Sequence, residues 1–81
     1  GLLDQAESHY ETALSLNPQQ AQTWGSLAVV YTKLKKIARA QTSLEKAISI
    51  DPSLPHFYFN LAMIFEFQKD YVHQAFLKIH L

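Results

Sequence analysis

The strongest constraint on this chain is an internal repeat with a period of 34 residues. Pro18 and Pro52 are separated by this interval, and residues of the same class recur at the same offset on both sides of them. A repeat of this length is one supersecondary unit, and neighbouring units stabilise one another by stacking. We therefore predict a repeat protein. The matching pairs are Ala6 with Ala40, Ala13 with Ala47, Leu14 with Ile48, Leu16 with Ile50, Asn17 with Asp51, Trp24 with Tyr58, Leu27 with Leu61, Ala28 with Ala62 and Tyr31 with Phe65.

Each unit contains two helical patterns. Apolar residues recur at steps of three and four from Trp24 to Leu34, and again from Ile37 onward, which predicts one buried stripe on each helix. Only Lys35 and Lys36 separate the two patterns, so we expect antiparallel helices joined by a tight turn. The predicted fold is all-α, with antiparallel helix hairpins stacked as an α-solenoid. About five helices are expected, at 1–16, 21–34, 37–50, 55–68 and 71–81, with ends uncertain by a few residues.

Large and small side chains alternate in a way that predicts how the helices pack. Ala40 lies where two helices of a hairpin cross closely, and a larger residue there would separate them. The four bulky aromatic residues that recur in the first helix of each unit are expected to fill the core. They are Trp24, Tyr31, Tyr58 and Phe65.

The spacing of the repeated residues resembles the signature of the tetratricopeptide repeat family, whose period is the same. The resemblance implies one array fragment over residues 1–81. Residues 1–20 match the second helix of a partial repeat, 21–54 a complete repeat, and 55–81 a nearly complete repeat, so the chain is expected to be part of something longer. The residues that carry the resemblance are Trp24, Leu27, Ala28, Tyr31, Ala40, Leu44, Ala47 and Pro52.

The last unit departs from the pattern at its turn. The family usually places Gly between the two helices, whereas Lys35 and Lys69 stand at the two later turns of this chain. We interpret the last turn as containing one extra residue, because three helix residues then match at an offset of 35. The alternative keeps Tyr71 in register but buries the Gln74 amide at the crowded alanine position. The matches at offset 35 are Val72 with Ile37, Ala75 with Ala40 and Ile79 with Leu44.

The resemblance also implies a binding surface, since the first helices of successive family repeats line a concave groove that holds peptides or partner helices. Independently, Phe59, Met63 and Phe67 share one helical face. This face is expected either to pack on a further repeat or helix, or to bind a partner segment. The candidate partner-binding residues are Gln22, Val29, Lys33, His56, Phe59, Asn60, Met63, Glu66 and Phe67, and Gly25 and Thr32 complete the groove positions.

One binding mode known in the family is disfavoured. Some members hold the terminal carboxylate of a chaperone tail with a clamp of Lys and Asn. Asn60 matches one clamp position, but Gly25 and Val29 stand where the preceding repeat would supply Lys and Asn. Because an apolar pair cannot satisfy a buried carboxylate, we do not expect chaperone-tail binding in this stretch.

The charges balance, with seven Lys and Arg against seven Asp and Glu, so no nucleic-acid partner is expected. Acidic residues nevertheless concentrate in 1–16 and basic residues in 33–46. We interpret these as solvated faces, with a docking patch for an acidic partner as the alternative. No apolar run approaches the length of a membrane span, so membrane insertion is not expected either. The expected location is cytoplasmic, with the nucleus also possible.

No catalytic, metal or cofactor site is predicted. The chain has no Cys, which excludes thiolate zinc sites and cysteine nucleophiles. His73 and His80 lie seven residues apart without a third ligand at metal-site spacing, and no phosphate-binding motif occurs. We therefore predict a non-enzymatic scaffold that binds a protein or peptide within a multi-subunit assembly.

Two alternatives to that function remain open. Seven of the ten aromatic residues lie between Phe57 and Phe76, so this half of the chain could pair with another copy and serve self-association. The chain could also be the substrate-recruiting region of a larger enzyme.

Overall fold

A computed structural model describes residues 1–80, without the side chains of Tyr71 and His80. This part of the chain is helical and contains no strand, which confirms the all-α hairpin fold. The first three helices begin and end within one residue of their predicted bounds. The helices are α1 (Leu2–Leu16), α2 (Ala21–Lys33), α3 (Ile37–Ile50) and α4 (Pro55–His80).

The turn between α2 and α3 depends on a lysine in the left-handed conformation. Lys35 has a φ of 66°, a value that Gly adopts far more readily. The Lys36 N–H donates to the Tyr31 carbonyl at 2.8 Å, and the Lys35 N–H donates to the Thr32 carbonyl at 3.0 Å. This pair of hydrogen bonds is the Schellman motif, which satisfies the last carbonyls of a helix. The predicted tight turn is therefore present, although its Gly is replaced.

The starts of α2 and α4 are each tied to the preceding loop by an aromatic side chain. Trp24 Nε1 donates to the Pro18 carbonyl at 2.7 Å. Tyr58 Oη donates to the Pro52 carbonyl at 2.6 Å, which repeats the same contact one period later. These hydrogen bonds fix the direction in which α2 and α4 leave the proline loops.

The core lies between α1, α2, α3 and the first half of α4. Ala40 is completely buried, as expected for a close helix crossing, and Tyr31 is buried as predicted. Trp24 is half-buried and packs against the same cluster. The buried cluster consists of Leu14, Leu27, Ala28, Tyr31, Ala40, Leu44, Ala47, Phe57 and Ile64.

The predicted turn near Lys69 does not form, so the prediction of separate helices at 55–68 and 71–81 is wrong within the described residues. α4 continues without a break for 26 residues. Lys is a good helix former, and a left-handed Lys costs roughly 1–2 kcal/mol. At Lys35 that cost is offset because α3 packs against both α2 and α4. Within residues 1–80 no further helix is present to pack on a helix folded back at Lys69, and Leu81 lies outside the described residues.

We call residues 55–68 the inner half of α4 and residues 69–80 its outer half. Gln68 Nε2 donates to Gln41 Oε1 at 2.7 Å, close to the start of α3. The outer half therefore runs past the α2–α3 turn. An open cleft of about 1360 Å³ lies between them, with Ile37 and Val72 in its lining.

The continuous helix also corrects two core predictions. Tyr58 and Phe65 were expected in the core, but they are 46% and 48% exposed. In the repeat pattern their face packs on the second helix of the same unit. Because α4 does not fold back, nothing in the described part of the chain covers that face as α3 covers Tyr31.

Candidate partner-binding surface

The predicted groove is built on a close approach of α2 to α4. Phe57 is completely buried, and its ring lies directly against the backbone of α2 at Gly25. A Cβ added to Gly25 would lie 2.5 Å from Phe57 Cε1, well inside van der Waals contact. The prediction that Gly25 lines the groove is therefore wrong, because its position is filled by Phe57. Gly25 instead allows the close spacing of α2 and α4.

A polar contact joins the same two helices at the surface. His56 Nε2 lies 3.2 Å from Gln22 Oε1, and it donates to that oxygen in the tautomer protonated at Nε2. Both residues were candidate groove residues, and both are exposed. The His56 ring is also 4.5 Å from the Phe57 ring, centroid to centroid. The structure thus brings Gln22 and His56 together above the buried Gly25–Phe57 contact.

The centre of the candidate surface is a line of exposed apolar side chains on the inner half of α4. Phe59 is 66% exposed, Met63 47% and Phe67 39%. We call these three residues the apolar strip. Val29 of α2, another candidate residue, is also exposed. The apolar strip is not covered by α1, α2 or α3, so its burial requires a further repeat or a separate segment.

Three further candidate binding residues have charged or amide side chains. Lys33 and Glu66 are exposed, whereas Asn60 is half-buried. Lys35 was assigned only to the turn, but its Nζ lies 5.4 Å from the centroid of the Phe67 ring, within cation–π range. No spacing in the sequence could have revealed that contact, because it depends on where α4 passes the α2–α3 turn.

The segregated charges partly neutralise each other within the molecule. Lys36 Nζ lies 2.6 Å from Glu7 Oε1, which joins the start of α3 to α1. Tyr31 Oη donates to Glu11 Oε2 at 2.6 Å. Burial, followed by the hydrogen bond and charge of Glu11, raises the pKa of Tyr31 to about 12. The acidic face of α1 therefore has internal partners, and Lys36 is occupied rather than available to an acidic partner surface.

The described residues contain neither a metal-binding cluster nor a membrane-spanning helix. No group of three His, Asp or Glu side chains in that part converges closely enough to hold a metal ion. His73 is exposed, and the side chain of His80 lies outside the described residues. None of the four described helices, including α4, is both long and apolar enough to cross a membrane.

Comparison with known proteins identifies relatives of the chain. Hsp70-Hsp90 organizing protein 3 of Arabidopsis thaliana is 33% identical over 67 residues, which is 83% of this chain and 12% of that protein. Hsp70-Hsp90 organizing protein of Triticum aestivum is 32% identical over 67 residues, again 83% of the chain and 12% of the relative. The Saccharomyces cerevisiae protein named Essential for maintenance of the cell wall protein 1 is 35% identical over 51 residues, or 63% of the chain and 6% of its own length.

The chain thus spans no more than about an eighth of the length of these curated relatives. The sequence model of the tetratricopeptide repeat family matches residues 1–58, well over half of the chain. The assignment of 55–81 to a nearly complete repeat lies mostly beyond this match and stays a prediction. The helix hairpin formed by α2 and α3 agrees with this match. The chain belongs to the tetratricopeptide repeat family.

Proposed function

We propose that this chain is a non-catalytic protein-interaction module that binds a peptide or partner helix along the groove between α2 and α4. The observation that carries the proposal is the exposed apolar strip of Phe59, Met63 and Phe67. Exposed apolar side chains on a fixed helical scaffold are typical of binding surfaces. Membership of a repeat family built for protein contacts supports the same function. The proposal places the chain in the cytoplasm or nucleus, within a multi-subunit assembly.

The spacing of the apolar strip suggests the form of its partner. Its three residues are one turn apart, so they span about 12 Å along α4. A partner helix with apolar residues at matching one-turn intervals could bury all three at once. Asn60 and Glu66 neighbour Phe59 and Phe67 along α4, where they could provide hydrogen bonds at the rim of the interface.

The partner chemistry that we propose is apolar rather than carboxylate-directed. Two of the relatives are named for organizing Hsp70 and Hsp90. In this chain, however, Gly25 lies beneath Phe57 and Val29 is apolar, so neither position offers a cation or amide to a terminal carboxylate. We therefore favour an internal amphipathic segment as the occupant of the groove.

The test is affinity capture from a native extract with the wild-type chain and a double variant, Phe59→Ser with Phe67→Ser. We expect the double variant to lose the captured proteins while its circular dichroism remains helical, because both side chains are exposed. Leu16→Ser is the matched control, since it removes an exposed apolar side chain on α1, outside the groove.

Three outcomes would contradict the proposal. Capture that is unchanged in the double variant would show that the apolar strip is not the binding surface. A collapse of helicity would show that Phe59 and Phe67 belong to the core instead. Loss of capture in the Leu16→Ser control would point to a different surface.

A further inference from the structure

The outer half of α4 has the pattern of a second repeat helix but no first helix to pack on. Val72 and Ile79 are 65% and 78% exposed, and Ala75 is also exposed. Two of their counterparts in α3, Ala40 and Leu44, are completely buried. Residues of the same classes are therefore buried in α3 and exposed in the outer half of α4.

The complementary surface is present on the inner half of the same helix. Tyr58, Ala62 and Phe65 are all exposed, whereas the corresponding Ala28 and Tyr31 of α2 are buried against α3. The two faces that close a repeat hairpin are thus both available in α4. They cannot meet within one straight helix, because Ala62 and Ala75 are separated by about 20 Å along its axis.

The two faces also join into one continuous line. Residues at alternating steps of four and three follow the spacing of a coiled-coil seam over three heptads, about 32 Å of helix. We call this line the heptad stripe. It is distinct from the apolar strip of the groove, which lies on another face of the inner half. The heptad stripe consists of Tyr58, Ala62, Phe65, Lys69, Val72, Phe76 and Ile79.

We propose that two copies of this chain pair through their heptad stripes, with the two α4 helices antiparallel. The outer half of each copy then covers the inner half of the other, and a two-fold axis satisfies both copies at once. This exchange gives Tyr58, Ala62 and Phe65 the kind of partner that α3 gives to α2. It goes beyond the proposed function, since it uses a different face of α4 and a different partner.

The shape of the molecule favours the antiparallel direction. Lys69 is the only charged residue of the heptad stripe, and it lies near its middle. In an antiparallel pair the two Lys69 residues lie beside the two-fold axis, where their long side chains can extend into solvent. The outer half also projects past the α2–α3 turn, so the two helical bodies lie at opposite ends of an antiparallel pair. A single polar residue in such a seam fixes its register.

Sedimentation equilibrium of the whole chain over a wide concentration range tests the pairing. We expect a reversible species of twice the 9.3 kDa chain mass. Val72→Asp should shift dissociation to at least tenfold higher concentration. Leu77→Asp, which places the same charge in the outer half but off the heptad stripe, should not. Phe59→Ser with Phe67→Ser should leave the dimer intact, so failure of the groove proposal is distinguishable from failure of this one.

Cross-linking tests whether the two α4 helices are antiparallel. The chain has no native Cys that would react with the cross-linker. Ala62→Cys and Ala75→Cys chains are mixed and treated with a short bifunctional maleimide. Antiparallel pairing predicts cross-links mainly between the two different variants. Cross-links mainly within each variant would indicate a parallel dimer and overturn the proposal. A monomer at all concentrations would overturn it too.

Discussion

The α2–α3 hairpin and α4 have nearly the same pattern of residues but different structures. In the first, Lys35 turns the chain and places α3 against α2. In the second, Lys69 is an ordinary helical residue and the chain continues straight. The difference indicates that the repeat pattern specifies which faces are apolar, while the turn depends on what the returning helix can bury. α3 has α2 on one side and α4 on the other, and this packing offsets the cost of a left-handed lysine.

Truncation of matched residues should give the largest contrast between the two regions. Leu44→Ala removes a completely buried side chain of α3 and should lower the free energy of unfolding by about 2–5 kcal/mol. Ile79→Ala, at the equivalent position of α4, should change it by less than about 0.5 kcal/mol in the monomer, because Ile79 is exposed. Urea unfolding at low protein concentration measures both. Equal losses would mean that the outer half is packed in solution.

The contact between α2 and α4 allows a second test, because it joins the two regions. Gly25→Ala should destabilise the chain by about 1–2 kcal/mol, since overpacking against Phe57 outweighs the gain in helix propensity. Thermal unfolding followed by circular dichroism measures the loss. Gly1→Ala is the matched control, because a Cβ there meets no atom within 4 Å. A neutral Gly25→Ala variant would contradict the close approach of α2 and α4.

The two turn lysines should respond in opposite directions to the same substitution. Lys35→Gly should stabilise the chain by about 1 kcal/mol, because Gly adopts the left-handed conformation without strain. Lys69→Gly should lower the helicity and stability of α4 by about 1 kcal/mol, because Gly disfavours a helix interior. Chemical denaturation measures both changes.

A control separates backbone strain from side-chain contact at the first turn. Lys35→Ala keeps the left-handed penalty but removes the ammonium that lies over Phe67. It should therefore be less stable than Lys35→Gly. If Lys69→Gly instead raised stability, the outer half would have folded back into the hairpin that the repeat pattern predicted.

Much of the fold could be predicted from the sequence because its signals are local. The helix-ending residues before Pro18 and Pro52, together with the apolar stripes, were enough to locate α1, α2 and α3. The straight course of α4 could not be predicted this way. Its local sequence allows both a turn and a helix at Lys69, and tertiary packing decides between them.

In the candidate surface, too, some features follow from the local sequence and others depend on tertiary packing. Helical periodicity alone placed Phe59, Met63 and Phe67 on one face, but it left open whether that face is exposed. It also assigned Tyr58 and Phe65 to the core, where the structure does not place them.

The burial of Gly25 did not follow from periodicity, because its environment is set by Phe57, which lies 32 positions further along the chain. The contact between Lys35 and Phe67 was likewise hidden, as it exists only once α3 and α4 are packed.

The hydrogen bond from Trp24 to the Pro18 carbonyl has a practical consequence for spectroscopy. The chain has one tryptophan, and its indole lies half-buried at the junction of α1 and α2. Its fluorescence therefore reports on the packed body and is insensitive to the outer half of α4, about 12 residues of helix with exposed side chains. Far-ultraviolet ellipticity senses both parts. The two optical signals should separate on heating, and the gap between them would measure how independently the end of α4 frays.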